Sequence, residues 1–208
     1  YLLYLRQLQQ QGSLSRHQLR QELSTQLHQA LIDKPDLLGL YVIFEPGGLD
    51  GADADFVKQA ELGSNETGRF ALYWVQSKPG ELQAVIGDEG LLANTEPGPS
   101  GAPYNAFYTC ARDTRQACVL EPYFDEASGS RKLVTSVAFP LIENGKVIAV
   151  VGLDINLAAL QQNSEASALE LFDGNGQISI VSPRGVISAN SQDVGRLGQP
   201  MDNAEVMD

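Results

Sequence analysis

Two aspartates stand at the ends of apolar segments, where a carboxylate is costly to bury. Asp125 ends the sequence EPYFD, and Asp154 ends the run VIAVVGLD. Strand alternation places Tyr123 and Asp125 on one face, and the run before Asp154 is typical of a strand buried on both faces. A buried carboxylate demands a cationic partner. We therefore interpret the two aspartates as candidate acceptors for a small amine that enters from solvent.

Aromatic residues elsewhere in the chain are candidates for the walls of such a pocket, because π faces attract cations and carboxylates form charge-assisted hydrogen bonds. The candidate walls are Tyr73, Trp74, Tyr104, Tyr108 and Tyr123. Each of these residues could instead have a purely structural role. Neighbouring strand residues point to opposite faces, so one of Tyr73 and Trp74 belongs to the core. Asp125 would also suit a position before a turn, and Asp154 the N-cap of the following helix.

Catalytic chemistry finds little support in the sequence. His17 and His28 fall on the polar side of an amphipathic helix, and no His, Cys or Asp cluster has the spacing of metal ligands. Asp125 and Asp154 could form an acid/base pair as in glycosidases, but neither lies in a hydrolase motif. We expect a protein that is not an enzyme and needs neither metal nor cofactor.

Composition limits the partners. The chain has 208 residues, of which 43% are hydrophobic, and 14 Lys and Arg against 26 Asp and Glu give a net charge of −12. This balance argues against nucleic acid or an anionic membrane as the partner and favours cations. No run reaches the roughly 20 apolar residues of a membrane helix, no signal peptide is evident, and the opening YLLYL resembles the middle of a helix, so we expect an excised fragment.

Cys110 and Cys118 fall in what we predict to be a polar loop between strands. Their spacing favours a disulfide in an oxidising compartment over a metal site, with a pair of free thiols as the alternative.

The hydrophobic pattern predicts an α+β fold. An amphipathic helix occupies residues 1–34, and a buried strand follows at 38–44. Strands are also expected at 69–75, 81–86, 132–142 and 147–154, with Asn144 and Gly145 in a hairpin turn. The acidic stretch 50–55 lacks the pattern of a calcium loop and suits a solvated loop. Residues 162–167 are linker-like, and strands predicted at 169–172, 178–181 and 186–189 would open a second sheet.

The order of these elements and motifs resembles the double Cache ligand-binding domain of bacterial methyl-accepting chemotaxis receptors. The resemblance rests on a long helix, PDLLGLYV with Glu45 and Pro46, GRF with Tyr73 and Trp74, EPY, and VVGLDI. It implies a PAS-like ligand-binding module at 35–161 and, at 162–208, a linker and the beginning of a second module. It also implies the periplasmic part of an inner-membrane receptor, which could form a homodimer.

The resemblance also implies a class of ligand. Members that sense amino acids hold the α-amino group with residues at the positions of Tyr123, Asp125 and Asp154, and the α-carboxylate with an arginine two residues before a Trp-Tyr pair. This chain has Ala71 and Leu72 where that arginine would stand, with Arg69 further back. The pattern resembles the branch that senses polyamines and biogenic amines such as histamine. We expect Tyr73, Trp74, Tyr108, Tyr123, Asp125 and Asp154 to bind the ligand. An amino-acid or γ-aminobutyrate receptor, or the sensor domain of a histidine kinase or cyclase, is the alternative.

Overall fold

A computed structural model describes residues 1–34, 37–78, 80–98, 101–125, 129, 131–173 and 175–201. The chain opens with two helices, α1 (Leu2–Gln10) and α2 (Arg16–Ile32), rather than with one long helix. Gly12 takes a positive φ of 77° between them, and Ser15 and Gln18 form a reciprocal capping box that begins α2. The sequence prediction treated this break as continuous helix.

The described residues contain one large antiparallel sheet of seven strands. Its strands are β1 (Leu37–Phe44), β2 (Ala71–Lys78), β3 (Glu81–Ile86), β4 (Cys118–Val119), β5 (Tyr123–Asp125), β6 (Lys132–Glu143) and β7 (Lys146–Asn156). The order is β3-β2-β1-β7-β6-β4, with β5 also paired to β6. The expected α+β class is thus confirmed. The hairpin at Asn144 and Gly145 is also as expected, since both residues have positive φ and Glu143 pairs with Lys146.

Helices cover both faces of this sheet. On one face, α1 and α2 bury leucines such as Leu19 and Leu23 against Val42, Phe44 and Leu72. On the other face, α4 (Ala106–Thr114) packs against β6 and β7. The short helix α3 (Glu89–Ala93) follows β3 and lies near the same face. The central strands are therefore buried on both sides, which explains their near-continuous apolar sequences.

A disulfide ties α4 to the edge of the sheet. Cys110 lies within α4 and bonds to Cys118 at the start of β4, with their Cα atoms 6.2 Å apart. The prediction of a polar loop around Cys110 was therefore wrong, because the segment from Ala106 forms a helix with one buried side that includes Tyr108 and Ala111.

The acidic stretch at 50–55 is not a solvated loop throughout. Arg20 of α2 is fully buried, and its guanidinium pairs with Asp50 at 3.0 Å and Asp53 at 3.3 Å. It also donates to Ser64 Oγ at 2.7 Å. A buried charge requires this complete set of partners, so the stretch anchors α2 to the loop after β1.

A helix of 15 residues leaves the large sheet after β7. This helix, α5 (Ala158–Phe172), includes residues 162–167, which we predicted to be linker-like. It also includes residues 169–172, so the strand predicted there was wrong. It leads to a two-stranded sheet of β8 (Ser179–Val181) and β9 (Ile187–Asn190), close to the expected hairpin. The side chain of Gln161 holds α5 to β9 through two hydrogen bonds with the Asn190 backbone, at 2.8 and 2.9 Å.

Within the described ranges, no helix combines the length and the apolar character that crossing a membrane requires.

Candidate ligand-binding site

A cavity of about 240 Å³ lies between the sheet and the segments that cover it, and both aspartates line it. The acidic and aromatic residues around it come from β1, β2, β5, β7, the start of α4 and the segment just before α4. The aliphatic side chains come from β1, β2, β3 and α3. The lining residues are Tyr41, Ile43, Ala71, Leu72, Tyr73, Val85, Gly87, Leu91, Leu92, Tyr104, Phe107, Tyr123, Asp125 and Asp154.

The strand register brings the polar residues together. Asp154 on β7 stands between Ser136 on β6 and Gly39 on β1. A Cβ on Gly39 would collide with the Tyr73 ring, so the glycine leaves room for that ring to reach from β2 across β1 toward Asp154. Gly152 leaves room for Tyr41 in the same way. Glycine inside a strand is typical of such close approaches.

Asp154 is a buried carboxylate held only by hydroxyl groups. It is 3% exposed, and its Oδ1 accepts a hydrogen bond from Ser136 Oγ and a longer one, at 3.5 Å, from Tyr123 Oη. Among the described residues it forms no ion pair, and Tyr73 is the third hydroxyl group beside it. Because Asp154 lies within β7 and the next helix begins with Leu157 as N-cap, the alternative that Asp154 caps that helix was wrong.

The environment disfavours the charged form of Asp154. Burial raises the pKa of Asp154 from 3.8 to about 6, and the nearby charge of Asp125 adds to the effect. The hydroxyl donors, Ser136 foremost, act in the opposite direction without cancelling it. The site therefore holds a carboxylate that a positive charge would stabilise.

Tyr73 adds a hydroxyl group with unused capacity. Its Oη is buried beside Asp154 without a hydrogen bond of normal geometry. Burial, and then the charge of Asp154, raise the pKa of the Tyr73 hydroxyl, so it stays protonated and lies beside that carboxylate. A buried polar group of this kind calls for a partner, and a cavity guest would provide one.

Asp125 reaches the same cavity from the edge of the sheet. It ends β5 and stands directly opposite Lys132 on β6. Lys132 donates from Nζ to the carbonyl of Gln76 at 3.0 Å and is not among the residues that line the cavity. Asp125 lies close enough for its charge to raise the pKa of Asp154, as expected of two acids that share one site.

Two of the expected ligand residues lie elsewhere. Trp74 points to the opposite face of β2, where it packs against the α1 and α2 side of the core and meets the His28 ring edge-on at 4.6 Å. His28 is therefore a packing residue rather than a freely solvated one. The hydroxyl of Tyr108 contacts Glu45 and Arg69, and its ring belongs to the core beneath α4. Neither side chain lines the cavity.

Arg69 is also committed elsewhere. Its guanidinium pairs with Glu89 at 3.1 Å and Glu45 at 3.7 Å, and it donates to Tyr108 and to the carbonyl of Phe44. This network joins the end of β1 to the starts of β2 and α3. Arg69 therefore fixes the walls around the cavity without reaching into it.

Three important cavity residues were not chosen from the sequence. Tyr41 lines the cavity and donates from its hydroxyl to the carbonyl of Phe107 at 2.6 Å. Phe107 packs edge-on against the Tyr41 ring at 5.7 Å, and Leu91 closes the aliphatic side. The alternation of β1, which puts Tyr41 and Gly39 on one face, could have indicated Tyr41.

Comparison with known proteins assigns the chain to a family. A family model described as "Methyl-accepting chemotaxis protein-like, first PDC sensor domain" matches residues 23–162. The chain belongs to this family. In this PDC sensor domain, the matched segment contains α2 from Leu23 onward, the whole large sheet and every residue that lines the cavity.

Known relatives agree with this assignment. The chain is 50% identical over 204 residues to the methyl-accepting chemotaxis protein TlpQ of Pseudomonas aeruginosa, a match that covers 98% of this chain and 29% of that protein. The solved structure of "Methyl-accepting Chemotaxis protein X" is 27% identical with a TM-score of 0.67, covering 88% of this chain and 61% of that one.

A third match shows likeness of fold alone. The ligand-binding domain of the P. aeruginosa PAO1 amino-acid chemoreceptor PctC, solved with GABA, is 17% identical with a TM-score of 0.52, covering 98% of this chain and 69% of that one. The chain thus spans under a third of the length of TlpQ and about three fifths to two thirds of these solved domains.

Proposed function

We propose that this PDC sensor domain forms the periplasmic ligand-binding part of a chemotaxis receptor and that its cavity binds a small cationic amine, such as putrescine, another polyamine or histamine. Residues 35–161 would be the ligand-binding module, and 162–208 a connection and the beginning of a second module. The observation that carries the proposal is Asp154, a carboxylate 3% exposed at the wall of a cavity, with hydroxyl donors but no ion pair among the described residues.

The electrostatics support an ammonium as the guest. Asp154 is buried, and the loss of hydration is the largest cause of its raised pKa. An ammonium at Oδ2 would restore a charge-assisted hydrogen bond. Asp125 would add a second negative charge, and the hydroxyl oxygen of Tyr73 would accept another hydrogen bond from the guest.

The walls support an alkyl or ring portion beside that ammonium. Tyr41, Tyr73, Phe107 and Tyr123 surround the cavity with aromatic rings, which attract cations through their π faces. The aliphatic residues of β3 and α3 give the rest of the guest an apolar surface. A few convergent polar groups within a mostly apolar wall are typical of small-molecule sites.

The charges around the cavity argue against an amino acid. Among the residues that line it, none is Lys or Arg, so an α-carboxylate would enter without a positive partner. It would also approach Asp125 and Asp154, and such like-charge contacts cost several kcal/mol, by a rough estimate. Arg69, the candidate for this role in the sequence, is held by Glu45, Glu89 and Tyr108.

The compartment is proposed on chemical grounds. The disulfide between Cys110 and Cys118 suits an oxidising compartment such as the periplasm, because cytosolic thiols are kept reduced. Ligand binding would signal by stabilising one geometry of the cavity walls and of the elements joined to them.

A thermal-shift experiment with matched pairs tests the amine proposal. Putrescine against ornithine, and histamine against histidine, differ by a single carboxylate. A ligand at a hundred times its Kd stabilises the folded state by about 2.7 kcal/mol, which for a domain of this size corresponds to roughly 5 to 10 °C. We expect such a shift with at least one of the amines and none with its carboxylated partner. Equal or larger shifts with ornithine or histidine would show an amino-acid sensor instead.

A further inference from the structure

A second cavity adjoins the first. It has a volume of about 270 Å³, and it shares Tyr104, Phe107 and Tyr123 with the first cavity. These three rings form what we call the shared wall. The second cavity extends away from the sheet centre, toward Glu121, Phe124, Gly98 and the segment 102–106.

One short segment supplies acidic groups to both cavities. Glu121, Tyr123 and Asp125 alternate along EPYFD, and Tyr123 and Asp125 lie in β5. With the roughly 3.3 Å rise per residue of extended chain, the Cα atoms of Glu121 and Asp125 stand at most about 13 Å apart. Asp125 lines the first cavity, Glu121 lines the second, and Tyr123 lines both.

Glu121 has one carboxylate oxygen available. Its Oε2 accepts a hydrogen bond from Ser182 Oγ. Among the described residues, Glu121 has no ion pair and its Oε1 accepts no hydrogen bond. The residue is partly buried, so an ammonium beside it would be screened less by water than at an exposed acid.

Arg131 is the cation that lines the second cavity, and its charge opposes a guest ammonium there. However, Arg131 is exposed, and its guanidinium lies 3.7 Å from the centre of the Phe124 ring. Water and that ring therefore screen its charge more than the charge of Glu121.

We propose that the two cavities form one extended site for a linear polyamine longer than a diamine. The inner ammonium binds Asp154 and Asp125, the alkyl chain lies along the shared wall, and the outer ammonium binds Oε1 of Glu121. This inference rests on the proposed function. A site that covers both cavities has room for a triamine such as spermidine.

The size of the site agrees with this proposal. Small-molecule pockets have volumes of roughly 300 to 1,000 Å³. The first cavity, at about 240 Å³, is just below this range, and the second cavity, at about 270 Å³, brings the joined site within it.

Calorimetric titration with putrescine and spermidine tests the extension, using the unchanged protein, Glu121→Gln and Arg131→Gln. We expect spermidine to bind more tightly than putrescine. Glu121→Gln should weaken spermidine about ten- to a hundredfold, the range for a hydrogen bond to a charged group, and leave putrescine within twofold. Arg131→Gln should strengthen spermidine. Glu61→Gln, at an exposed position away from both cavities, controls for the loss of net negative charge.

The outcomes separate this inference from the proposed function. If Glu121→Gln affects neither ligand, or both equally, the extended site is wrong. A long ω-amino acid tests the opposite charge preference. If Glu121→Gln strengthens its binding and Arg131→Gln weakens it, the second cavity binds an anion and the extended polyamine site is wrong. The proposed function stands in these cases if Asp154→Asn still abolishes putrescine binding. Unchanged putrescine binding by Asp154→Asn would instead overturn the proposed function.

Discussion

Lowering the pH should weaken amine binding, because a proton and an ammonium compete for Asp154. In the empty site the pKa of this carboxyl is about 6, against 3.8 for the ordinary group. At pH 7.5 Asp154 is almost fully ionised, so affinity is at its maximum there. Below pH 6 each unit should cost about a factor of ten, and binding at pH 5 should be roughly tenfold weaker than at pH 7.5.

The same pKa determines how the stability of the empty domain varies with pH. Because the folded-state pKa is raised, the folded state binds more protons than the unfolded state between pH 3.8 and about 6. The contribution of Asp154 to the free energy of unfolding therefore falls as the pH rises through that window. The pKa difference of roughly two units corresponds to about 3 kcal/mol lost by pH 7. An ammonium guest would recover part of this loss.

Calorimetry in two buffers with different ionisation enthalpies measures the competition directly. At pH 5.5 roughly three quarters of the Asp154 carboxyls would be protonated, so each bound amine should release about that fraction of a proton. Asp125→Asn should move the midpoint to lower pH, since the charge of Asp125 raises the pKa of Asp154. Affinity that stays constant from pH 5 to 7.5, with no proton released, would refute this reasoning.

Three substitutions test the geometry around the carboxylate. Tyr73→Phe removes a buried hydroxyl that lies beside Asp154 without a hydrogen bond of normal geometry, so amine affinity should fall roughly three- to tenfold with little change in melting temperature. A drop in melting temperature with affinity intact would contradict this. Trp74→Phe should change melting temperature and leave affinity within twofold, because Trp74 faces the helices. Gly39→Ala would force the Tyr73 ring to move, and should lower the free energy of unfolding by about 1–3 kcal/mol and also weaken amine binding. Chemical denaturation and calorimetry measure both effects, and normal stability with normal affinity in Gly39→Ala would show that Tyr73 has another position available.

The parts of the site that follow local rules could be predicted from the sequence. The apolar run before Asp154 indicated a strand buried on both faces, and the alternation of Tyr123 and Asp125 indicated a shared face. Both aspartates do line one cavity. These are short-range patterns, because the period of a strand alone decides which neighbours share a face.

The remaining parts depend on contacts that are distant in sequence. Alternation separates Tyr73 from Trp74, but the packing of α2 decides which of them faces the core. Arg20 and Asp50 look like solvated residues in sequence, and only their pairing across the fold explains their burial. The Cys110 segment has the Gly- and Pro-rich approach of a loop, yet its buried side makes it a helix.

The central claim is that Asp154 provides the counter-charge for a bound ammonium. The most direct measurement is calorimetric titration of putrescine and histamine into Asp154→Asn, with Asp55→Asn as the control, since Asp55 is an exposed aspartate away from the cavity. We expect the amine that binds the unchanged domain to lose at least about thirtyfold in affinity in Asp154→Asn, corresponding to 2 kcal/mol or more, and to bind Asp55→Asn normally. Equal affinities for the unchanged domain and a folded Asp154→Asn variant would contradict the account.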